Sequence, residues 1–181
     1  MSRLRIYPEQ DAGQVLTHTS SSDQMHRLLG DVGVRFERWD TFEGIVAGAT
    51  PDAVLAAYAE PVGRLKNEQG YQAVDVVSLH PEHPQRAEFR QKFLNEHTHA
   101  EDEVRFFVDG QGLFSLHIGD RVFEVLCQRG DLISVPAGTS HWFDMGAAPS
   151  FVAIRLFTNP EGWVAEFTGS DIAERFPRLR A

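Results

Sequence analysis

Cysteine is almost absent: Cys127 stands alone in 181 residues, so no internal disulfide can form and a disulfide-stapled secreted scaffold is excluded. In VFEVLCQ that cysteine reads as a small core residue and not as a nucleophile. Long apolar runs are missing as well. No stretch approaches the roughly 20 apolar residues of a membrane-spanning helix, and MSRLRIYPEQ lacks the apolar centre of a secretory signal. Both absences predict a cytoplasmic protein with no membrane partner. Positive charge is scarce, with 17 Lys+Arg against 26 Asp+Glu for a net charge of −9, which argues against nucleic-acid binding through a general basic field. Repeats, low-complexity tracts and linkers are also lacking. A chain of this length with 42% hydrophobic residues can bury one core, so residues 1–181 are read as a single domain.

What is present falls into two halves. Before residue 95, RLRIYP suits a short strand, and SSSDQMHRLLGDVG offers N-caps ahead of Leu28, Leu29 and Val32 at helical spacing, with Gly33 as its end. VRFERWDTF alternates as a strand. Thr50 and Pro51 make a cap and first turn for a helix through Val54, Leu55 and Tyr58, which Pro61 breaks or restarts before Gly70. YQAVDVVSL reads as a strand, and a short helix follows Pro81 and Pro84. After residue 95, short β-rich segments dominate: a strand from His97, then LFSLHI, RVFEVL, DLISV and FVAIRLFT, separated by DGQG, GD and QRGD turns and expected to pair antiparallel. A helix capped by Ser170 is predicted at the end. The pattern is mainly β, an antiparallel barrel with peripheral helices, mostly N-terminal.

The chemistry-bearing stretch is EHTHAEDEVRFFVDG. His97, His99 and Glu103 are spaced by two and four, so in an extended strand they share one face, and Arg105 and Phe107 continue that parity. Some 40 residues later, GDLISVPAGTSHWF supplies a strand, a Pro/Gly turn and His141. Three imidazoles and one carboxylate can hold a divalent transition metal and leave coordination positions open for substrate. Burying such a set without a cation would cost several kcal/mol. A structural zinc site fits less well, since the set contains no cysteine. His18 and His26 read as surface residues, His117 as a strand residue near a turn, and His80 and His83 as part of a proline-rigid loop.

These two segments resemble the cupin motifs. The first runs H-x-H, three or four residues, Glu, six residues, Gly, and His97, His99, Glu103 and Gly110 fall on it; the second is matched by Gly130, Pro136, Gly138 and His141. Gln91 stands where a glycine is usual, and Met145 where the second motif ends in Asn. Within the cupins, EHTHAEDEVRFFVDGQGLF and GYQAVDVVSL resemble the acireductone dioxygenases of methionine salvage, over about residues 1 to 167.

The resemblance implies a cupin-type jelly roll, with a metal-site core at 91–145 and N-terminal helical and strand decoration at 1–90. It implies one Fe(II) or Ni(II) per chain on His97, His99, Glu103 and His141, and gives Arg105 the part of generating or holding a substrate dianion. Glu96 and Asp102 match acidic residues tied to metal incorporation and to relaying conformational change. The implied reaction is O2-dependent cleavage of 1,2-dihydroxy-5-(methylthio)pent-1-en-3-one, and the chain is expected to act as a monomer. For its apolar thioether tail, Phe93, Phe143 and Trp163 are the candidate lining. Two other readings stay open: a metal-containing cupin that only binds a small ligand, and a cupin sugar isomerase, which would need no O2 and more basic residues near the site.

Overall fold

The computed structural model describes residues 1–159 and 164–180. In chain order it contains β1 (Arg3–Pro8), β2 (Thr17–Thr19), α1 (Ser22–Gly30), β3 (Arg35–Arg38), α2 (Pro51–Ala57), α3 (Ala59–Gln69), β4 (Ala73–Leu79), α4 (Arg86–Leu94), β5 (His97–Thr98), β6 (Glu103–Ile118), β7 (Arg121–Gln128), β8 (Asp131–Val135), β9 (Ser140–Asp144), β10 (Phe151–Phe157) and β11 (Glu166–Phe167). A 3-10 turn at Ile172–Arg175 follows. The four helices among the described residues all lie before residue 95, and residues 1–90 also supply β1 to β4.

Every strand pairing is antiparallel. One layer runs β11-β5-β9-β6-β7-β1-β2, and the other runs β4-β10-β6-β8-β3. β6 belongs to both, which makes the two layers a jelly-roll-like sandwich and not a closed barrel. Its first residues, Glu103 to Phe106, lie between β8 and β10, and its last, Gln111 to Ile118, pair with β7. The DGQG segment expected as a turn is instead where this strand passes from one sheet to the other. Gly110 has φ +74°, and a Cβ there would lie 1.9 Å from the Ser150 carbonyl oxygen; a Cβ on Gly112 would lie 2.3 Å from the Phe143 ring. Glycine is what lets the backbone bend there without expelling β10 or Phe143.

Three apolar layers hold the sandwich. Between the sheets, Leu4, Ile6, Phe114, Leu116, Phe123, Val125 and Phe143 meet Phe107, Ile133, Val135 and Ala153. Cys127 is in this layer, fully buried, as its sequence context suggests. On the outer side of the second sheet, Val104, Phe106, Leu132, Ile154 and Leu156 are covered by Val54, Tyr58, Val62 and Leu65 of the α2–α3 segment. Each such side chain contributes about 1.5–3 kcal/mol when fully buried. The outer side of the first sheet is covered by Ile172, Ala173 and Phe176, packed on Tyr7, Val122 and Trp142.

Local expectations hold where capping decides them. Ser21 accepts from the Gln24 amide at 3.4 Å to start α1, and Thr50 accepts from Ala53 at 3.3 Å with Pro51 in the first turn of α2. The helix break falls at Tyr58, and Pro61 sits in the first turn of α3, where its missing N–H costs nothing. Ser170 does not cap an α-helix: its hydroxyl accepts from Ile172, two residues on, and only the 3-10 turn forms. Gln91 lies within α4, a place where glycine would weaken the helix, and Met145 is buried in the core.

Candidate metal centre

The strand expected to run unbroken from His97 is interrupted at residues 99–102, so His97 belongs to β5 and Glu103 opens β6. The four residues converge nonetheless, because β5 and β6 flank the same strand. His97 is the cross-strand partner of His141 on β9, and Leu116 of β6 is its partner on the other side. Glu103 and Arg105 share parity with Phe107 and so face the interior of the sandwich. The turn before His141 is tied down by Asp102, whose Oδ1 accepts from the Ala137 amide at 2.7 Å, while the Gly138 amide donates to the His99 carbonyl at 3.0 Å.

His97, His99 and His141 each offer a ring nitrogen, all within 4.8 Å of one another, and all three residues are buried. Among the described residues this is the one such group of three or more. Each Nδ1 lies beside a backbone carbonyl: Asn95 at 2.7 Å for His97, Val164 at 3.1 Å for His99, and Thr139 at 2.8 Å for His141. A carbonyl can only accept, so Nδ1 carries the proton and Nε2 is left to turn its lone pair inward. Burial pushes the His97 pKa down and that of His141 to about 3, so both rings are neutral.

Glu103 completes the set. Its Oε2 is 3.4 Å from His99 Nε2 and 3.8 Å from His141 Nε2, yet it is buried with no hydrogen-bond partner. Its Oε1 accepts from Arg105 Nε at 3.1 Å and from Nη2 at 2.7 Å. Burial would raise the carboxyl pKa, but the Arg105 charge outweighs it and holds the group at about 2. Lone pairs of neutral imidazoles around an unpartnered carboxylate oxygen repel one another unless a cation sits among them. The residues therefore fit a divalent metal, and three nitrogens with one oxygen suit iron, nickel and their neighbours in the first transition row.

Arg105 is 3% exposed, with its guanidinium carbon 4.6 Å from the Phe143 ring centre, 4.9 Å from Phe114 and 5.7 Å from Phe93. Burial lowers its pKa, and Glu103 opposes that shift. Phe93 and Phe143, proposed from sequence as pocket residues, thus both lie against Arg105, with their ring centres 6.3 Å apart. A cavity of about 300 Å3 opens beside Phe93, lined also by Val77, Leu79, Phe89 and Arg155. Trp163 lies outside the described residues.

Sequence reasoning assigned His117 no chemistry. It donates or accepts at both ring nitrogens, Nδ1 to Glu96 Oε2 at 2.8 Å and Nε2 to Glu9 Oε2 at 2.7 Å, and the two carboxylates raise its pKa against the effect of burial. Glu96 takes a further bond from Thr168 Oγ1 at 2.8 Å, so the residue before His97 is locked to β6 and to the segment after β11. Arg155, also missed, is the cross-strand partner of Arg105 and pairs with Asp75 at 2.8 Å. Both depend on partners 80 or more residues away, which no local pattern encodes. His80 and His83 have rings 5.7 Å apart, and His83 Nδ1 accepts from the Gln85 amide, a loop-forming contact.

The model of the ARD/ARD′ family matches residues 45–165. An acireductone dioxygenase of Pseudomonas aeruginosa is 61% identical over 179 residues, covering 99% of each chain. One from Hahella chejuensis is 60% identical, covering 99% of this chain and 96% of its own. Among solved structures, an acireductone dioxygenase from Bacillus anthracis with a cadmium ion in its active centre superposes with a TM-score of 0.78 at 31% identity, covering 92% of this chain and 98% of that one.

Proposed function

The chain belongs to the acireductone dioxygenase family and is a metal-dependent dioxygenase, and from that premise we propose that its substrate is 1,2-dihydroxy-5-(methylthio)pent-1-en-3-one. With Fe(II) the products are formate and 4-methylthio-2-oxobutanoate; with Ni(II) they are formate, carbon monoxide and 3-methylthiopropanoate. Both sets account for every atom of the substrate and one O2. The protein acts as a cytoplasmic monomer with one metal ion per chain. The observation that carries this reading is the unpartnered Glu103 Oε2 facing inward-turned imidazoles, with Arg105 buried against the same carboxylate.

His97, His99, His141 and Glu103 would hold the ion. When bound, it supplies a Lewis acid and a template on which enediolate and O2 meet. The chain's own residues do the rest. Arg105 has five N–H donors, of which two are given to Glu103. Its charge, in a site walled by Phe93, Phe114 and Phe143, favours loss of the enediol protons and holds the resulting anion. Phe93, which lines the adjoining cavity, and Phe143, packed against it, receive the thioether tail and keep water from the enediolate. Asp102 fixes the turn that delivers His141, in keeping with a part in metal incorporation. Glu96, bridged to Thr168 and His117, couples movement of the outer segments to His97.

The test is to load the protein anaerobically with Fe(II), add the enediol, and then admit O2 while following dissolved oxygen and the enediolate absorbance. Stoichiometric oxygen uptake with loss of absorbance is expected. Binding of the enediol with no uptake would instead make the chain a ligand-binding cupin.

A further inference from the structure

Away from the metal centre, cations gather at one place on an otherwise acidic chain. A cleft of about 520 Å3 lies between β1, the outer face of β7 and the segment 177–180, and Arg3, Arg5, Arg178 and Arg180 line it together with Gln111 and Leu126. Four guanidinium groups around one opening run against a net charge of −9. Among the described residues, Arg5 and Arg180 form no ion pair with a carboxylate within 4.0 Å. Arg3 reaches only the buried Glu124, at 3.7 Å, and its Nε is buried without a partner. Arg178 gives one N–H to the Leu94 carbonyl, at 3.3 Å. Glu124 faces both Arg3 and Arg5, and Glu174 faces Arg178 together with Asp144, which is already paired with Arg90.

The cleft is built and not a loose tail lying on a sheet. Phe176 packs edge-on against Tyr7 at 5.7 Å and in a tilted contact against Trp142 at 6.0 Å. Three residues on, the Leu179 amide donates to Asp144 Oδ2 at 2.9 Å. These anchors hold Arg178 and Arg180 opposite Arg3 and Arg5 before any ligand arrives, which removes part of the ordering cost of binding.

We propose that this cleft binds a phosphorylated small molecule, its phosphate oxygens taken by the four arginines and its organic part resting on Leu126 and Leu179. The planar fork of a guanidinium matches two phosphate oxygens at once, a match that lysine does not offer. The cleft volume falls within the ~300–1,000 Å3 of small-molecule sites. No feature of the metal centre enters the argument, so it stands or falls independently of the dioxygenase reading.

Calorimetric titration of the metal-loaded protein at low ionic strength tests it, with inorganic pyrophosphate and adenosine diphosphate as probes and sodium chloride at matched ionic strength as control. Binding of one adenosine diphosphate per chain, tighter than pyrophosphate, is expected. The Arg5→Gln/Arg180→Gln variant should bind at least about tenfold more weakly, the loss of charge-assisted hydrogen bonds, with oxygen uptake at the metal centre unchanged. If the double variant folds poorly, Arg180→Gln alone serves, since Arg180 is exposed. Heat no larger than that of the chloride control, or an affinity unchanged in the variant, as probes held by the metal ion would give, would overturn the proposal. So would capture of the chain by phosphatidylglycerol vesicles with no binding of adenosine diphosphate.

Discussion

Replacing Arg105 by Met separates what this side chain does for the fold from what it does for the chemistry. Methionine keeps most of the buried volume against Phe114 and Phe143 but removes both N–H donors from Glu103 Oε1. Both partners are buried, at 3% and 1% exposure, so breaking the pair leaves an uncompensated carboxylate, which costs about 3–5 kcal/mol. In the wild-type protein the Glu103 pKa is held at about 2, below its unfolded value, so the pair's stabilisation is present above the ordinary carboxylate range and is lost as pH falls through about 2. In the variant, burial has lost its main opponent, so Glu103 titrates at a higher pH and part of the cost is relieved by proton uptake. A bound divalent ion relieves it more directly, by taking the charge on Oε2. The loss measured by urea unfolding should therefore be large in metal-free protein and markedly smaller in metal-loaded protein. Turnover should fall about tenfold to a few hundredfold, corresponding to ~1.5–3 kcal/mol for a charge-assisted hydrogen bond to the substrate. Equal losses of stability with and without metal, or a metal-free loss under about 1 kcal/mol, would refute this account of the Glu103–Arg105 pair.

Two further outcomes follow from the same geometry. Substituting Ala for His97, His99, Glu103 or His141 should strip or strongly weaken the metal, as read by elemental analysis of the purified variants; full metal content in all four would place the ion elsewhere. Asp144→Asn should cost about 1.5–3 kcal/mol at pH 7, because Asp144 accepts from Arg90 at 2.7 and 3.1 Å, from Gly146 at 2.8 Å and from Leu179 at 2.9 Å. Burial would raise its pKa, but the Arg90 hydrogen bonds and the two amides lower it. The stabilisation is thus present above the usual carboxylate range and lost as pH falls below it, so acid unfolding should narrow the gap between variant and wild type; a gap that widens on acidification would contradict the sign.

The convergence of His97, His99, Glu103 and His141 was legible because its information is local. H-x-H, the following Glu103 and Arg105, and the Pro136–His141 turn each lie within a few residues, and the pairing of β5 and β6 with β9 brings them together although the strand breaks between them. Caps at Ser21 and Thr50 are local in the same sense. What local pattern did not show depends on distant partners. Asp109 to Gly112 has the composition of a hairpin turn, but the requirement set by Ser150 and Phe143 makes it a bend within β6. The break at residues 99–102 follows from the ties of that loop to Ala137 and Gly138. His117 looked ordinary because Glu9 lies 108 residues away, and Arg155 because Asp75 lies 80 away. Capping predicts a helix after Ser170, whereas Ile172, Ala173 and Phe176 pack onto the first sheet from a 3-10 turn that has no side-chain cap.

The most direct test of the central claim is product analysis of two metal forms made from one batch of metal-free protein. Fe(II) and Ni(II) forms receive the same enediol and the same O2, and formate, the 2-oxo acid, carbon monoxide and 3-methylthiopropanoate are quantified against oxygen consumed. Formate is predicted from both, the 2-oxo acid from the Fe(II) form alone, and carbon monoxide with 3-methylthiopropanoate from the Ni(II) form alone. Identical products from the two would contradict the metal-dependent outcome, and no oxygen consumption by either would contradict the assignment of dioxygenase chemistry to His97, His99, Glu103, His141 and Arg105.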